Sequence, residues 1–407
     1  MFFLNSTTMA STEPLRMRVP TLHPRVVYAS KTIWDGFLEV PVVCVTDTEN
    51  FDFEYSPNAD GLKPGIPCDG FLLGQETFDP KVEDPLSTIF KRITQEKAYH
   101  SPKLDSHGRH VEDPPGFELH STLNGFRNWL GVHFPDRLVS KPKFTWEITI
   151  DVDRPWKHAH KPWWVTLGSI VKSAGSRDWS GLRERFQQQD PFDTLSRVRE
   201  ICPPTKTTVF FLVDGDHALD SRYDLKMKPY QDYVKRWKEA GYRIGLHPSY
   251  RSSDEMPLID QEKALLEAVV GSVKTSRQHY LRYRLPETFR RLESLGIMED
   301  YSLCGHEDLG GRTGIAMPYP WYDLQQERET NLKMVPAVAM DRTLQQYLGS
   351  NPQSAFGKTA ACIDYLRQTG GHFVLILHNE TFSESGEWKG WTRWVDSTIQ
   401  YLSGHGV

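Results

Sequence analysis

From residue 141 onward the sequence alternates short apolar runs with longer amphipathic stretches, and this rhythm restricts its possible folds more than any other feature. The apolar runs are 146–150, 207–213, 242–246, 273–279, 301–304, 334–340 and 373–377. Helix-like segments lie at 193–200, 229–240, 254–270, 286–295, 343–348, 354–368 and 391–402. Such alternation predicts an α/β protein with a parallel sheet, because a parallel crossover needs a connection long enough to hold a helix. Seven strands with interleaved helices fit a closed or nearly closed (β/α) barrel. The alternative is a doubly wound open sheet, since periodicity does not report closure.

The 407 residues suffice for one large domain and a smaller one. Residues 1–24 are polar and turn-rich and read as a flexible leader. Residues 25–99 read as a small N-terminal α/β module, with strands at 25–28, 40–45 and 70–74 and a helix near 86–96. Residues 100–140 read as linker and lead-in, charged and Pro-rich at first, with a helix near 123–129. The barrel domain is expected over 141–407.

Composition narrows the function classes. A net charge of −5 offers no electrostatic basis for binding nucleic acid or an anionic membrane. No run approaches the roughly eighteen apolar residues of a membrane span, and the N-terminus turns polar too soon for a signal peptide. Five scattered cysteines without a C-x-x-C pair argue against a disulfide framework or zinc knot. They fit a reducing compartment, so a cytoplasmic location is expected. No glycine-rich phosphate loop follows a strand, which disfavours dehydrogenase and nucleotide-binding readings. The Trp163-Trp164 pair and Trp388, Trp391 and Trp394 suit stacking on sugar rings, though buried structural roles are commoner.

In a βα barrel the strand C-termini form the mouth of the active site. Here they carry polar, ligand-capable residues repeatedly: Asp151 and Asp153, then Asp214, Asp216 and His217, then His247 and Tyr250. Further ends bring Arg277, His279 and Arg282, then Asp341, and finally His378. A carboxylate with two imidazoles suits zinc or another divalent first-row ion. Such an ion polarises a carbonyl and acidifies water. With Asp151 as base, Asp153 and His247 as ligands and His378 as acid, the inventory points to metal-assisted hydrolysis of an amide. Arg277, Arg282 and Arg312 can orient a substrate carboxylate or phosphate, or can hold Asp151. Arg277 is favoured near the site, and the substrate-binding set is Arg277, Tyr250 and Arg282. Cys304 and His306 read as structural, and Asp214, Asp216 and His217 as rim.

These residues resemble a known family. Thr149-Ile-Asp151-Val-Asp153 resembles the first motif of the polysaccharide deacetylases, the NodB-homology or carbohydrate esterase family 4 group. Gly245-Leu-His247 resembles the second motif, Arg284-Leu-Pro286 sits where an Arg-x-Pro third motif is expected, and Leu375-Ile-Leu377-His378 resembles the closing Leu-x-His motif. The text around 276–282, 300–302, 311–314 and 321–324 resembles a bacterial branch that carries an extra N-terminal domain. The resemblance implies a distorted seven-stranded (β/α) barrel and removal of acetyl groups from N-acetylated sugar residues. It implies Asp151 as base, Asp153 and His247 as metal ligands and His378 as acid, with Zn²⁺ or else Co²⁺, Ni²⁺ or Fe²⁺. The expected partner is an acetylated sugar or polysaccharide.

One position departs from the family pattern. The second motif normally supplies another histidine four residues after His247, and Arg251 stands there. His279, at the next strand end, is the expected replacement, with His158 and His160 as runners-up. Two other readings follow from the same residues. One is a non-catalytic carbohydrate-binding scaffold with a decayed metal site; the other is a small-molecule amidase.

Overall fold

The computed structural model describes residues 13–57, 63–75, 81–100, 103–111, 116–137, 143–161, 184–185, 189–215 and 217–404. The first twelve residues, Trp163, Trp164 and Asp216 lie outside the described residues.

The chain is a mixed α/β protein with two sheets. The smaller sheet is parallel and four-stranded: β1 (Leu15–Arg18), β2 (Val42–Val45), β3 (Phe53–Tyr55) and β4 (Gly65–Ile66), in the order β2-β1-β3-β4. Its central strand β1 falls in the stretch expected to be a loose leader, so that part of the leader is corrected to a strand. Two expected strands are also corrected. Residues 24–30 form the helix Pro24–Ser30, because Pro24 at the first turn and a His23 cap outweigh the β-branched text. Residues 70–74 form a 3-10 turn, Phe71–Leu73, between Gly70 and Gly74 at φ of 91° and 73°.

The larger sheet has nine strands: β5 (Phe144–Val152), β6 (Thr207–Leu212), β7 (Arg243–His247), β8 (Thr275–Ser276), β9 (Glu299–Asp300), β10 (Tyr319–Asp323), β11 (Arg328–Met334), β12 (Ala339–Met340) and β13 (Gly371–His378). They run in the order β10-β11-β9-β8-β7-β6-β5-β13-β12, and only the β10–β11 pair is antiparallel. This sheet thus holds two strands more than the seven expected. The 334–340 run divides at Val335–Val338 into the end of β11 and the short β12, and β10 adds a hairpin edge. That edge is capped by the N-terminal region, where Tyr28 donates to the Pro320 carbonyl at 2.6 Å and packs its ring 4.7 Å from Tyr322.

Strand alternation sends side chains to two separate apolar clusters. Ile148, Ile150, Val152, Val209, Phe211, Leu375 and Leu377 join the large core beneath the helices. Each such fully buried aliphatic side chain contributes about 1.5–3 kcal/mol. Phe210, Val374 and Ile376 point the other way, into a small cluster with Tyr301, Cys304, Val335 and Met340. This second cluster lies on the opposite face of the sheet from the first. At that face an isolated parallel bridge joins Cys304, just beyond β9, to Ala337, just before β12.

Candidate metal and acid-base site

Register places the chemistry. Asp151 on β5 pairs with His378 on β13 and with Phe210 on β6, while His247 ends β7 opposite Leu212. Asp153 lies one residue past β5, on the same face as Asp151 by the two-residue strand period. The strand ends converge on a cavity of about 350 Å³, lined among others by Asp151, Asp153, His247, His279 and His378.

Asp153 is the hub. Its Oδ1 lies 3.3 Å from His247 Nε2, and its Oδ2 lies 3.6 Å from His279 Nε2 and 3.7 Å from His378 Nε2. The ligand atoms of Asp153, His247 and His279 all fall within 4.8 Å of one another. Donors around a tetrahedral ion with bonds of roughly 2.0–2.1 Å lie about 3.3 Å apart, close to the 3.3 and 3.6 Å that separate Asp153 from His247 and His279.

The hydrogen bonds agree with that fit. Asp153 Oδ1 is buried and makes no hydrogen bond. His247 Nδ1 lies 2.6 Å from the Arg277 carbonyl, and His279 Nδ1 lies 2.8 Å from Asp220 Oδ1. Each Nδ1 donates to its oxygen, so Nε2 is the ring nitrogen that faces Asp153 in both residues. Burial opposes the Asp153 charge, yet the imidazoles of His279 and His247 outweigh it and hold the carboxyl well below its usual range. Burial would likewise lower His279, but Asp153 and Asp220 overcome it and raise the ring to about 9.

Asp151 and His378 are each held by a buried partner. Arg277 is fully buried, donates to Asp151 Oδ1 and Thr149 Oγ1 at 2.7 Å each, and reaches the Tyr301 carbonyl at 3.2 Å. Its guanidinium also lies 4.6 Å from the Phe210 ring. Phe210 can occupy that place because its neighbour on β7 is Gly245, where a Cβ would come within 2.4 Å of the ring. His378 Nδ1 and backbone N–H both donate to fully buried Asp341 at 2.7 Å, and Thr381 donates to the same carboxylate. Burial would lower the His378 pKa, and Asp341 outweighs it to raise the ring to about 9.

The expected substrate-binding residues make contacts away from the cavity lining. Arg277 faces inward, is spent on Asp151, Thr149 and Tyr301, and does not line the cavity. Tyr250 and Arg282 stand behind the mouth. The Arg282 guanidinium lies 4.0 Å from the Tyr250 ring and donates to the Tyr250 carbonyl and Asp254, and neither residue lines the cavity. His217 stacks on Tyr250 at 4.6 Å. Arg251 pairs with Glu255 four residues on, and Arg284 pairs with Asp254. Neither runner-up histidine lines the cavity: His158 lies 3.8 Å from Glu184, and His160 packs its ring 4.4 Å from Trp156.

Asp220 and Glu262 had no role in the sequence reading, and Asp341 was noted only as a polar strand end. Asp220 lies in a loop with no local pattern to mark it. Glu262, on the helix Pro257–Val270, accepts from the Ser249 N–H at 2.8 Å and hydroxyl at 2.5 Å, fixing the turn after His247.

Two predictions follow from these braces. Asp341→Asn removes the charge that orients and stabilises the His378 imidazolium. It is expected to lower kcat by about 10²–10⁴ with little change in KM. A kcat within about twofold of the parent would separate Asp341 from the chemistry. Burial raises the Glu262 carboxyl from its ordinary 4.5 to about 7, with Asp214 and Asp220 adding to the shift. A raised folded-state pKa favours the folded protein while the group is protonated. This contribution, on the order of 3 kcal/mol, is full below about pH 4.5 and lost as pH rises through about 7. Denaturant titrations of Glu262→Gln should therefore show a flatter stability profile between those values; an unchanged slope would reject the assignment.

No protein-family model matches the chain, and no curated protein matches its sequence. Among solved structures, the chain is similar to one described as a "putative polysaccharide deacetylase from Mycobacterium smegmatis". The TM-score is 0.41 at 17% identity, over 64% of this chain and 85% of that one. Among the described residues, no helix is long and apolar enough to cross a membrane.

Proposed function

We propose that this protein is a metal-dependent amide hydrolase of the polysaccharide deacetylase type, removing acetyl groups from N-acetylated sugar residues. The carrying observation is the convergence of Asp153, His247 and His279 within 4.8 Å, beside an acid and a base that are each held by a buried partner. Strands β5–β9, β12 and β13 would form the distorted barrel; the isolated Cys304–Ala337 bridge and the enclosed apolar cluster support that reading.

Asp153, His247 and His279 would hold a divalent cation, with Zn²⁺ favoured by the nitrogen and oxygen donors and Co²⁺, Ni²⁺ or Fe²⁺ also accommodated. Such a cation supplies Lewis acidity toward an acyl oxygen and toward water. Asp151 takes the proton of the attacking water. Arg277 grips Oδ1, and Oδ2 sits on the His247 side, 3.9 Å from its Nε2. His378 delivers a proton from Nε2 to the leaving amine nitrogen, while Asp341 on Nδ1 stabilises the charged ring. Both groups already stand in register on adjacent strands, so no rearrangement of the backbone is needed to bring them together.

The test is acetate release from monomeric, oligomeric and polymeric N-acetylated sugars, before and after chelation and metal return. Release that stops on chelation, recovers with Zn²⁺ and is lost in Asp151→Asn supports hydrolysis. Metal-loaded protein that frees no acetate, with glycan binding undiminished in Asp151→Asn, would favour the scaffold reading instead.

A further inference from the structure

Arg109 comes from the segment that the sequence marks as linker, yet it lines the same cavity as Asp151, Asp153 and His378. A tight turn delivers it. Leu104 and His110 form an antiparallel bridge, and Asp105 N–H donates to the Arg109 carbonyl at 3.0 Å. The Asp105 carboxylate accepts from the backbone N–H of His107 at 2.8 Å and of Arg109 at 2.9 Å. The same carboxylate takes Arg109 Nε at 2.6 Å.

The Arg109 side chain is only 8% exposed. Its Nε edge is satisfied by Asp105, but its two terminal nitrogens have no protein partner among the described residues. Those two nitrogens open onto the cavity, and the free edge of the fork matches two oxygens of a carboxylate or phosphate. Two other guanidiniums line the cavity. Arg342 is committed, with its terminal nitrogens on Glu380 and Glu387 at 2.6 and 2.8 Å. Arg154 is half exposed and lies 3.3 Å through Nε from Glu380. His306, 3.5 Å from Asp105, is pushed down to about 4 by burial and by Arg109, so it stays neutral beside the guanidinium.

We propose that Arg109 is an anion-recognition residue of the cavity, and that the substrate carries a carboxylate or phosphate as well as its acyl-amide group. Arg154 adds a second, outer cation to the same recognition. The substrate statement deepens the amide-hydrolase reading and rests on it; anion binding by Arg109 does not.

Two measurements separate these. The first is binding to the metal-free full-length protein of three acetamido sugars, one neutral, one bearing a carboxylate and one a phosphate, by calorimetry. An anionic sugar should bind at least about tenfold more tightly than the neutral one, the worth of a charge-assisted hydrogen bond. Arg109→Gln should abolish that difference and Arg109→Lys restore part of it. Which anionic sugar wins tells carboxylate from phosphate. The second is hydrolysis of the same three by the metal-loaded protein. There Arg109→Gln should raise KM for the anionic substrate about tenfold more than for the neutral one. Equal binding of all three sugars by the parent, or an equal loss for all three in Arg109→Gln, overturns the proposal; in that case water fills the open edge. If Arg109→Gln does not fold, the same comparison is made with Arg154→Gln, whose exposed side chain can be changed without disturbing packing. An unaltered preference there overturns the two-cation subsite. Binding that follows Arg109 while no sugar is hydrolysed leaves anion recognition standing and rejects the hydrolase reading alone.

Discussion

His279→Ala is expected to abolish metal binding at the proposed site: content per chain should fall from about one to near zero after dialysis, because one of the three proposed protein ligands is gone. Amide hydrolysis should fall with it, by about a thousandfold or more, since both carbonyl polarisation and water acidification are lost. The variant should also lose about 1–3 kcal/mol of stability. Asp220, almost fully buried, would keep only its contact with the Tyr250 N–H. Elemental analysis and denaturant melts read these two effects separately. His158→Ala and His160→Ala serve as controls and should leave metal content untouched, as neither ring lines the cavity. One full equivalent of metal retained by His279→Ala would exclude His279 as the third ligand.

Arg277→Ala is expected to damage stability and turnover together. The pair with Asp151 is buried on both sides, at 2.7 Å, and removing the cation leaves a carboxylate without its partner. Breaking such a pair costs about 3–5 kcal/mol. The base also loses the contact that sets its orientation, so kcat should fall by at least about a hundredfold with KM little changed. A substrate-binding arginine would behave differently, raising KM while the melting curve stayed put. A double-mutant cycle distinguishes the cases further. In an Asp151→Asn background the same change should cost clearly less, because the charge that Arg277 served is already gone. Additive losses would show that the two side chains act independently.

The β5 text shows how far local pattern reaches. Ile148, Ile150 and Val152 face the helices, while Glu147, Thr149, Asp151 and Asp153 alternate with them and face the enclosed side. That two-residue alternation was present in the sequence, and it announces a strand with one polar inner face. The helices at 229–240, 354–368 and 391–402 were legible for a similar reason: each carries a 3.6-residue apolar stripe, and the structure places helices at Lys228–Glu239, Pro352–Thr369 and Trp391–Leu402. β8 and β12 fall inside the expected runs 273–279 and 334–340 but fill only two residues of each, and β9 lies just before the 301–304 run, since two residues carry no period to set their bounds.

Arg251 marks the limit on the site. Its sequence position suggested a missing ligand, but nothing local could say whether another imidazole reached the same point. His279 does so because β7 and β8 are neighbours in the sheet, with Leu246 paired to Ser276. Arg277 had two readings in the sequence, a substrate contact or a brace on Asp151. Its place beside His279 suggested a substrate contact, whereas the side-chain direction turns it under the mouth, between Phe210 and Asp151.

The amino-acid sequence by itself determined the strand–helix rhythm, the strand-end position of Asp151, Asp153, His247 and His378, and the break in pattern at Arg251. These follow from periodicity and composition, which act over a few residues. Only the tertiary structure decided that the 273–279 run shrinks to a two-residue strand, and that His279 faces Asp153. It also decided that Arg277 serves Asp151, that Asp220 and Asp341 anchor two imidazoles, and that Arg109 reaches the cavity. Each of those depends on which strand lies beside which and on which face a side chain leaves its backbone, and residues 37 to 126 positions apart in sequence carry no mutual signal until the sheet brings them together.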